Sequence, residues 1–370
     1  MLSHFTARGF RNLQPLDFAP AAGSHLLLGG NGAGKTSLLE AIYVLATTRS
    51  FRAAQIADCV SHGASEMALW GEVDAGRRAA LAVSVLGGVR QRSVNGKPTS
   101  LTEHLSVLPV VAWAAVEAGV LVGAPGERRR FMDRGVVATR PAALEVLGRY
   151  REALRQKRDL LAREAAGIEI WNELLATTAA EVVRLRAAYV DALRIELAAV
   201  LADVAAGREP GDPAALGLPL PLVELRYRPS PPQGLEGAAA IAAVLDRAAE
   251  RERRRRQPLL GPQRDELEIL WDGHEVRRVA SAGERKALSL LLLAAHGRVV
   301  EAAGRHPVYL LDDADAELSP ATVAAVWSIF ARRVAASGGQ MFASSNRPQA
   351  WLTLEVGTLW EVDKGHLRRL

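Results

Sequence analysis

The feature that most limits what this chain can fold into is GGNGAGKT, residues 29–36. It fits G-x-x-x-x-G-K-[ST], follows the apolar run SHLLL and opens TSLLEAIYVLA, a helix-patterned segment. Glycines let a backbone wrap closely around phosphates with its N–H groups turned inward, and the helix N-terminus adds positive potential. Gly29, Gly30, Asn31, Gly32, Ala33 and Gly34 are therefore candidate phosphate contacts. Lys35 is expected to reach the β- and γ-phosphates and Thr36 to ligate magnesium, with Ser37 beside it. A glycine-rich turn with a chance lysine would not also supply the strand, the spacing and the helix. ATP or GTP is the expected ligand.

A phosphate loop of this kind needs an acidic partner at the end of an apolar strand, and VYLLDDADAELSP (308–320) supplies one. Asp312 ends the strand and is the candidate acid of the magnesium site. Asp313 follows where a general base or water-orienting carboxylate belongs. Just before this strand stands VASAGERKALSLLLLAAH (279–296). Ser281 and Gly283 sit at the start of its apolar helix, and a hydroxyl at a helix N-terminus is another anion-binding surface. S-x-G-E alone is most often an ordinary helix cap. Ordered as phosphate loop, signature and acidic strand, however, the three blocks match the ABC-type ATPases. In those, the signature of one subunit closes over nucleotide held by another.

The rest of the chain frames these blocks. HFTARGF, MALWGEV, AALAVSVL and VRQRSV read as short strands in the first hundred residues, with a hairpin turn at NGK (95–97). From about 127 to 206 apolar residues recur at three- and four-residue steps, predicting long helices. GREPGDPAALGLPLP (207–221) breaks that pattern, and ELEILWDGHEVRRV (266–279) predicts strand–turn–strand about Asp272-Gly273. Beyond it, helix and strand alternate: a helix near 283–303, the strand PVYLLDD, a helix over 320–336 and the strand QMFASS. This predicts an α/β head of mixed sheets and helices, split by an inserted, mainly helical second lobe. The expected division is 1–125 and 241–370 for the two halves of the head, with 126–240 for the lobe.

Composition narrows the partners. A net charge of +5 permits a polyanion, and arginines run together in GERRRF (126–131) and RERRRR (251–256), with Arg264 nearby. Such helical runs are usually solvated faces. Aromatics are only 5% of the chain and do not cluster with these arginines, so backbone recognition of duplex DNA fits better than base stacking. Cys59 is the only cysteine, which excludes an internal disulfide and suits a reducing compartment. The longest apolar run, ALSLLLLAAH (287–296), is too short to span a bilayer, so no membrane partner and a cytoplasmic location are expected. The histidines show no metal-ligand spacing.

With these blocks in order, the chain resembles the bacterial RecF family of recombinational repair proteins. The resemblance runs through GFRNLQPLDF (9–18), the LLEAIY and RSFR that follow the phosphate loop, and GAPGERRRFMDRGV (123–136). It continues through LLGPQRDELEI (259–269), SAGERKAL and LLDDADAEL. It implies an ABC-type head that forms a homodimer around ATP and Mg2+, binds DNA at gaps or junctions, and hydrolyses ATP slowly to let go. It further implies action with RecO and RecR in loading RecA, in replication restart and in the SOS response, in the cytoplasm at the nucleoid. Carried over by position, Lys35 and Thr36 contact phosphate and magnesium, Asp312 is the magnesium-site acid, and Ser281 is the signature contact in trans. Arg11 and Asn12 border the nucleotide.

The chain departs from the family pattern in three places. VAWAAVEAG (111–119) stands where members often carry Pro-Glu in the γ-phosphate-sensing loop, and Ser319 replaces a customary aspartate. Asn346 falls near the position of a switch histidine in ABC proteins. These bear on hydrolysis more than on ATP binding. Two other readings stay open on sequence alone: the nucleotide-binding subunit of a transporter, and a regulatory module that holds ATP without hydrolysing it.

Overall fold

A computed structural model describes the chain except residues 75, 77, 115–118, 207–221, 231–233, 235–236 and 352–353. The Gly/Pro-rich break at 207–221 and the central part of the sensor segment thus lie outside the described residues. The chain separates into two compact units. One gathers both chain ends, Met1–Ala118 and Ala280–Leu370, with Glu196–Leu220; the other holds Gly119–Ile195 and Pro221–Val279. The segment 241–279, assigned by pattern to the head, clusters in this second unit.

Unit one contains two six-stranded sheets. The first is antiparallel, in the order β2-β1-β4-β5-β6-β7. Its strands are β1 (Leu2–Arg8), β2 (Leu16–Phe18), β4 (Glu66–Asp74), β5 (Arg78–Leu86), β6 (Val89–Val94) and β7 (Lys97–Pro98). Alternation sets its inner face: Met67, Leu69 and Val73 are buried on β4, and Leu81, Val83 and Val85 on β5. Asn95 and Gly96, both at positive φ, make the β6–β7 turn where NGK predicted one.

The second sheet runs β15-β14-β3-β13-β12-β8, parallel from β14 to β8. It is built from β3 (Gly23–Leu28), β8 (Val110–Trp113), β12 (Val308–Leu311), β13 (Gln340–Ser345), β14 (Thr358–Asp363) and β15 (His366–Arg369). All of β12 and β13 is buried, as expected of strands covered on both faces. Helix α1 (Lys35–Thr47) contacts strands of both sheets, and Leu38, Ile42 and Leu45 share one core with Phe5, Phe10, Leu27, Leu310 and Phe342. Each such side chain contributes roughly 1.5–3 kcal/mol by leaving water.

Among the described residues this unit also holds α2 (Leu101–Val107), α9 (Ala282–Ala302), α10 (Pro320–Ser337) and the end of a long helix from Glu196 to Ala206. A Cβ at Gly297 of α9 would lie 2.2 Å from Tyr309 Oη, so the glycine lets the tyrosine of β12 seat against the helix.

Unit two is mainly helical. It holds α3 (Gly119–Val122), α4 (Pro125–Thr139), α5 (Ala143–Arg163), the part of α6 (Ile168–Ala206) up to Ile195, α7 (Ala238–Arg255) and α8 (Val276–Val279). A three-stranded antiparallel sheet in the order β11-β10-β9 joins them, from β9 (Val223–Arg228), β10 (Glu266–Trp271) and β11 (His274–Glu275). The strand–turn–strand expectation over 266–279 needs one correction: the second strand stops at Glu275, and Val276–Val279 is a helical turn. Its centre is polar as well as apolar. Buried Arg186 donates to Asp133 and Asp265, and Lys157 Nζ lies 2.6 Å from Glu252 Oε2 with both side chains buried. Among the described residues of either unit, no helix is long and apolar enough to cross a membrane.

Candidate functional site

The phosphate loop leaves β3 and enters α1 through Gly34, whose φ of 118° caps the helix in a conformation that favours glycine. A Cβ at Gly29 would lie 2.2 Å from the carbonyl oxygen of Val362 on β14, so only glycine fits there. Lys35 Nζ donates to the carbonyls of Gly29 and Gly30, 2.9 Å each, spanning the loop it belongs to. Asn12 braces the loop from outside. It accepts from Ser37 Oγ at 2.7 Å and donates to Gly32 O at 2.8 Å. Around these groups lies a cavity of ≈ 600 Å³, lined by Arg11, Asn12, Asn31 to Ser37, Arg52, Asp58, Val60, His62 and Asp313. That volume suits a nucleotide-sized ligand.

Two residues 276 positions apart meet beside this cavity. Thr36 Oγ1 donates to Asp312 Oδ1 at 2.9 Å, and Ser344 Oγ donates to the same oxygen at 2.8 Å. Burial pushes the Asp312 carboxyl above its usual range, although both hydroxyl bonds pull the other way. One hydroxyl and one carboxylate suit a small hard cation that takes its remaining oxygens from water and phosphate, so this corner fits magnesium. Asp313 follows at φ 45°, its N–H bound to Ser344 Oγ at 2.9 Å. Its Oδ1 is buried without a hydrogen-bond partner, though the residue lines the cavity. An orphan carboxylate oxygen is costly in a fold, here as at Asp315 Oδ1 and Glu252 Oε2.

The signature residues stand apart from the cavity. Ser281 is the N-cap of α9; its Oγ accepts from Glu284 N at 3.3 Å, and Glu284 returns the contact to Ser281 N at 2.7 Å. These bonds hold the Glu284 carboxyl below its ordinary range. Ser281 is exposed, and neither it nor Gly283 is among the cavity-lining residues. Arg11 does line it, and its guanidinium is anchored on Glu40 at 2.7 and 3.0 Å.

Several participants have no role assigned from the sequence. Glu40 is fully buried at the centre of a cluster that includes Arg11, Arg52 and Ser50, the last of which donates to it at 2.5 Å. It aims Arg11 and Arg52 along the cavity wall. Its signal lay in LLEAIY, a carboxylate in an otherwise buried helix. Asn346 Nδ2 reaches Asn31 Oδ1 at 2.9 Å, tying the end of β13 to the phosphate loop. Asp315 is buried and accepts from Ser345 Oγ and Trp351 Nε1.

The arginine runs turn out to be largely occupied within unit two. Arg128 bonds to Glu266 and Gly123 O, Arg129 to Asp265 O, and Arg264 to Pro258 O. Arg253 and Arg256 pair with Glu169 and Glu164. Among the described residues no group of three or more His, Cys, Asp or Glu gathers as a metal site.

Residues 1–356 match the family model of the RecF/RecN/SMC N terminal domain. A DNA replication and repair protein RecF of Frankia alni is 36% identical over 333 residues, covering 86% of this chain and 87% of that protein. The protein of the same description from Yersinia pseudotuberculosis is 29% identical and spans 99% of this chain and 98% of its own length. A solved structure of the recombination mediator protein RecF-ATPrS covers 100% of this chain and 98% of its own with a TM-score of 0.85 at 22% identity. An Smc head bound to the C-winged helix domain of ScpA is more distant, with a TM-score of 0.57. These solved structures share the fold: an α/β head of mixed sheets with an inserted helical lobe.

Proposed function

The chain belongs to the RecF family, and from that premise we propose that it is an ATP-dependent DNA-binding repair protein whose heads pair around nucleotide. One observation carries this reading: the signature turn does not reach the cavity. The phosphate loop and acidic strand meet at Thr36 and Asp312, while Ser281 is exposed on its helix cap and lines no part of the cavity. A second copy presenting its Ser281 and Gly283 would complete the wall over the phosphates. The transporter-subunit alternative is set aside by the family assignment.

In this reading the N–H groups of residues 30–36 and the Lys35 ammonium hold the triphosphate. Lys35 then exchanges its two loop carbonyls for phosphate oxygens. Thr36 and Asp312 hold magnesium, which neutralises charge on the β- and γ-phosphates when bound. Asp313 accepts a proton from, or orients, the attacking water through its free oxygen. An aspartate reaches one methylene less far than a glutamate, so hydrolysis is slow and serves release. Arg11 and Arg52, aimed by Glu40, add positive potential at the wall. The partners we propose are duplex DNA at gaps or junctions, a second copy of the chain, RecR with RecO, and through them RecA. The place of action is the nucleoid in the cytoplasm.

Light scattering of the full chain tests the pairing. ATP with magnesium should convert monomer to dimer, and Ser281→Arg should stay monomeric while still binding ATP. A wild-type chain that remains monomeric with ATP overturns the reading. Binding to gapped, forked and blunt duplexes across a salt series, with and without ATP, then identifies the DNA structure.

A further inference from the structure

The loop that follows β12 is held in an unusual way. Asp312 to Ser319 contains two non-glycine residues at positive φ, Asp313 at 45° and Glu317 at 63°. Backbone of that kind persists only where its surroundings over-determine it. Here the surroundings are two cations that grip main-chain carbonyls. Lys286 Nζ, on the first turns of α9, donates to Asp313 O at 2.9 Å and Ala316 O at 2.6 Å. Arg347, just after β13, donates through one nitrogen to Asp315 O at 2.9 Å and Leu318 O at 3.3 Å.

Both cations are themselves tied to neighbouring elements, Lys286 to the end of β8 and Arg347 through Asn346 to the phosphate loop. Lys286 is 9% exposed and lies 4.8 Å from the centre of the Trp113 ring at the end of β8. Trp113 Nε1 donates to Ser289 Oγ at 2.9 Å, and Ser289 Oγ donates back to Lys286 O at 2.7 Å, which fixes the lysine's stem. Burial lowers the lysine's affinity for its proton, while the surrounding acids Glu317, Asp315 and Asp313 raise it. Arg347 adjoins Asn346, which holds Asn31 of the phosphate loop. A continuous set of contacts therefore runs from Asn31 through Asn346 and Arg347 to the acidic loop, then through Lys286 to the helix that Ser281 caps.

We propose that Lys286 and Arg347 are positioning residues that clamp the acidic loop by four of its carbonyls and so fix Asp313 and the signature turn relative to the phosphate loop. Neither side chain lines the nucleotide cavity. Their effect is on geometry at the acidic end and on the turn offered to a second copy. The inference rests on the proposed function for its consequence in turnover, but the clamp itself does not require nucleotide.

The test uses the full chain with Lys286→Met, Arg347→Met and the conservative Lys286→Arg. Without nucleotide, each Met variant should raise hydrogen exchange at the amides of residues 313–319 by about tenfold or more relative to wild type. Affinity for a fluorescent ATP analogue should stay within about threefold, while turnover at saturating ATP falls about tenfold or more with KM unchanged. Lys286→Arg, which still donates to two carbonyls, should recover much of both. If Lys286→Met does not fold, Arg347→Met and Lys286→Arg carry the same comparison. Unchanged exchange at 313–319 in the Met variants overturns the clamp, as does a loss of analogue affinity that matches the loss of turnover. A wild-type chain that neither pairs nor hydrolyses ATP removes the proposed function instead, and the exchange result alone then decides the clamp.

Discussion

Both units bury charge, and they do so in opposite ways. In unit two the buried charges named above face opposite charges: Arg186 sits between Asp133 and Asp265, Tyr227 adds its hydroxyl to Asp265, and Lys157 faces Glu252. At the cavity of unit one Glu40 is paired with Arg11 and Arg52, but the charges around the phosphate loop itself face no opposite charge. Lys35 has only neutral carbonyls as hydrogen-bond partners, and Asp312 takes its side-chain bonds from two neutral hydroxyls, those of Thr36 and Ser344. Matched burial holds a fold together once formed, whereas unmatched burial costs stability that only a ligand returns. The difference separates scaffold from site without reference to any motif.

Substitution on the two sides should break the comparison in opposite directions, and the largest effect belongs to unit two. Arg186→Met takes the guanidinium from Asp133, which keeps Arg151, and from buried Asp265, which keeps only neutral donors in Tyr227 and Ser230, and should cost about 3–5 kcal/mol. Urea denaturation followed by a unit-two probe checks it. Lys35→Ala should change stability far less but abolish binding of a fluorescent ATP analogue. If Arg186→Met proves nearly neutral while Lys35→Ala unfolds the chain, the distinction between matched and open burial fails.

A smaller effect sharpens the comparison through pH. His25 donates from Nε2 to Ala21 O and accepts at Nδ1 from Trp360 Nε1, so it is neutral in the fold; His104 donates to Leu45 O. Burial lowers the pKa of both below the ordinary 6.5. The unfolded chain therefore binds more protons than the folded one once pH drops below that value, and stability falls with pH. The loss begins near pH 6.5, approaches about 1.4 kcal/mol per pH unit for each histidine, and ends at the lowered folded pKa. Both residues belong to unit one, while the histidine of unit two, His274, is exposed. Hydrogen exchange at pH 7 and pH 5.5 should show unit one loosening before unit two. Equal loosening of the two would count against buried neutral histidines as the cause.

What was legible in the sequence follows the range over which each feature is determined. The phosphate loop, the cap at Ser281 and the turn at Asn95-Gly96 are local, since glycine spacing and a hydroxyl before a helix decide them within a few residues. The partnership of Thr36 with Asp312 was also readable, because an acid after a fully apolar strand has few other uses. Glu40, Asn346, Lys286 and Arg347 were not, because their roles arise from contacts with distant segments: Asn346 meets Asn31 across 315 positions. The hairpin of β14 and β15 went unread for a similar reason, as β14 is placed by its parallel register against β3 from the other end of the chain. At 276–279 a short run with valines at both ends suits strand or helix, and packing decided for helix.

The smallest effect concerns a second serine cap. Ser319, a departure from the pattern that the sequence resemblance implies, is the N-cap of α10: its Oγ accepts from Thr322 N at 3.2 Å and lies 2.9 Å from Thr322 Oγ1. Serine and aspartate cap a helix about equally well, so the departure from the family pattern has a structural equivalent. Ser319→Asp should therefore leave stability within about 0.5 kcal/mol, while Ser319→Ala, which removes the acceptor, should cost about 1 kcal/mol. Because Ser319 also ends the loop that Lys286 and Arg347 hold, the two variants separate capping from charge. If the aspartate's charge matters for pairing of two copies, Ser319→Asp alone should change ATP-driven dimerisation at constant thermal stability. If only the cap matters, Ser319→Asp should pair as the wild type does, and Ser319→Ala should lose stability first.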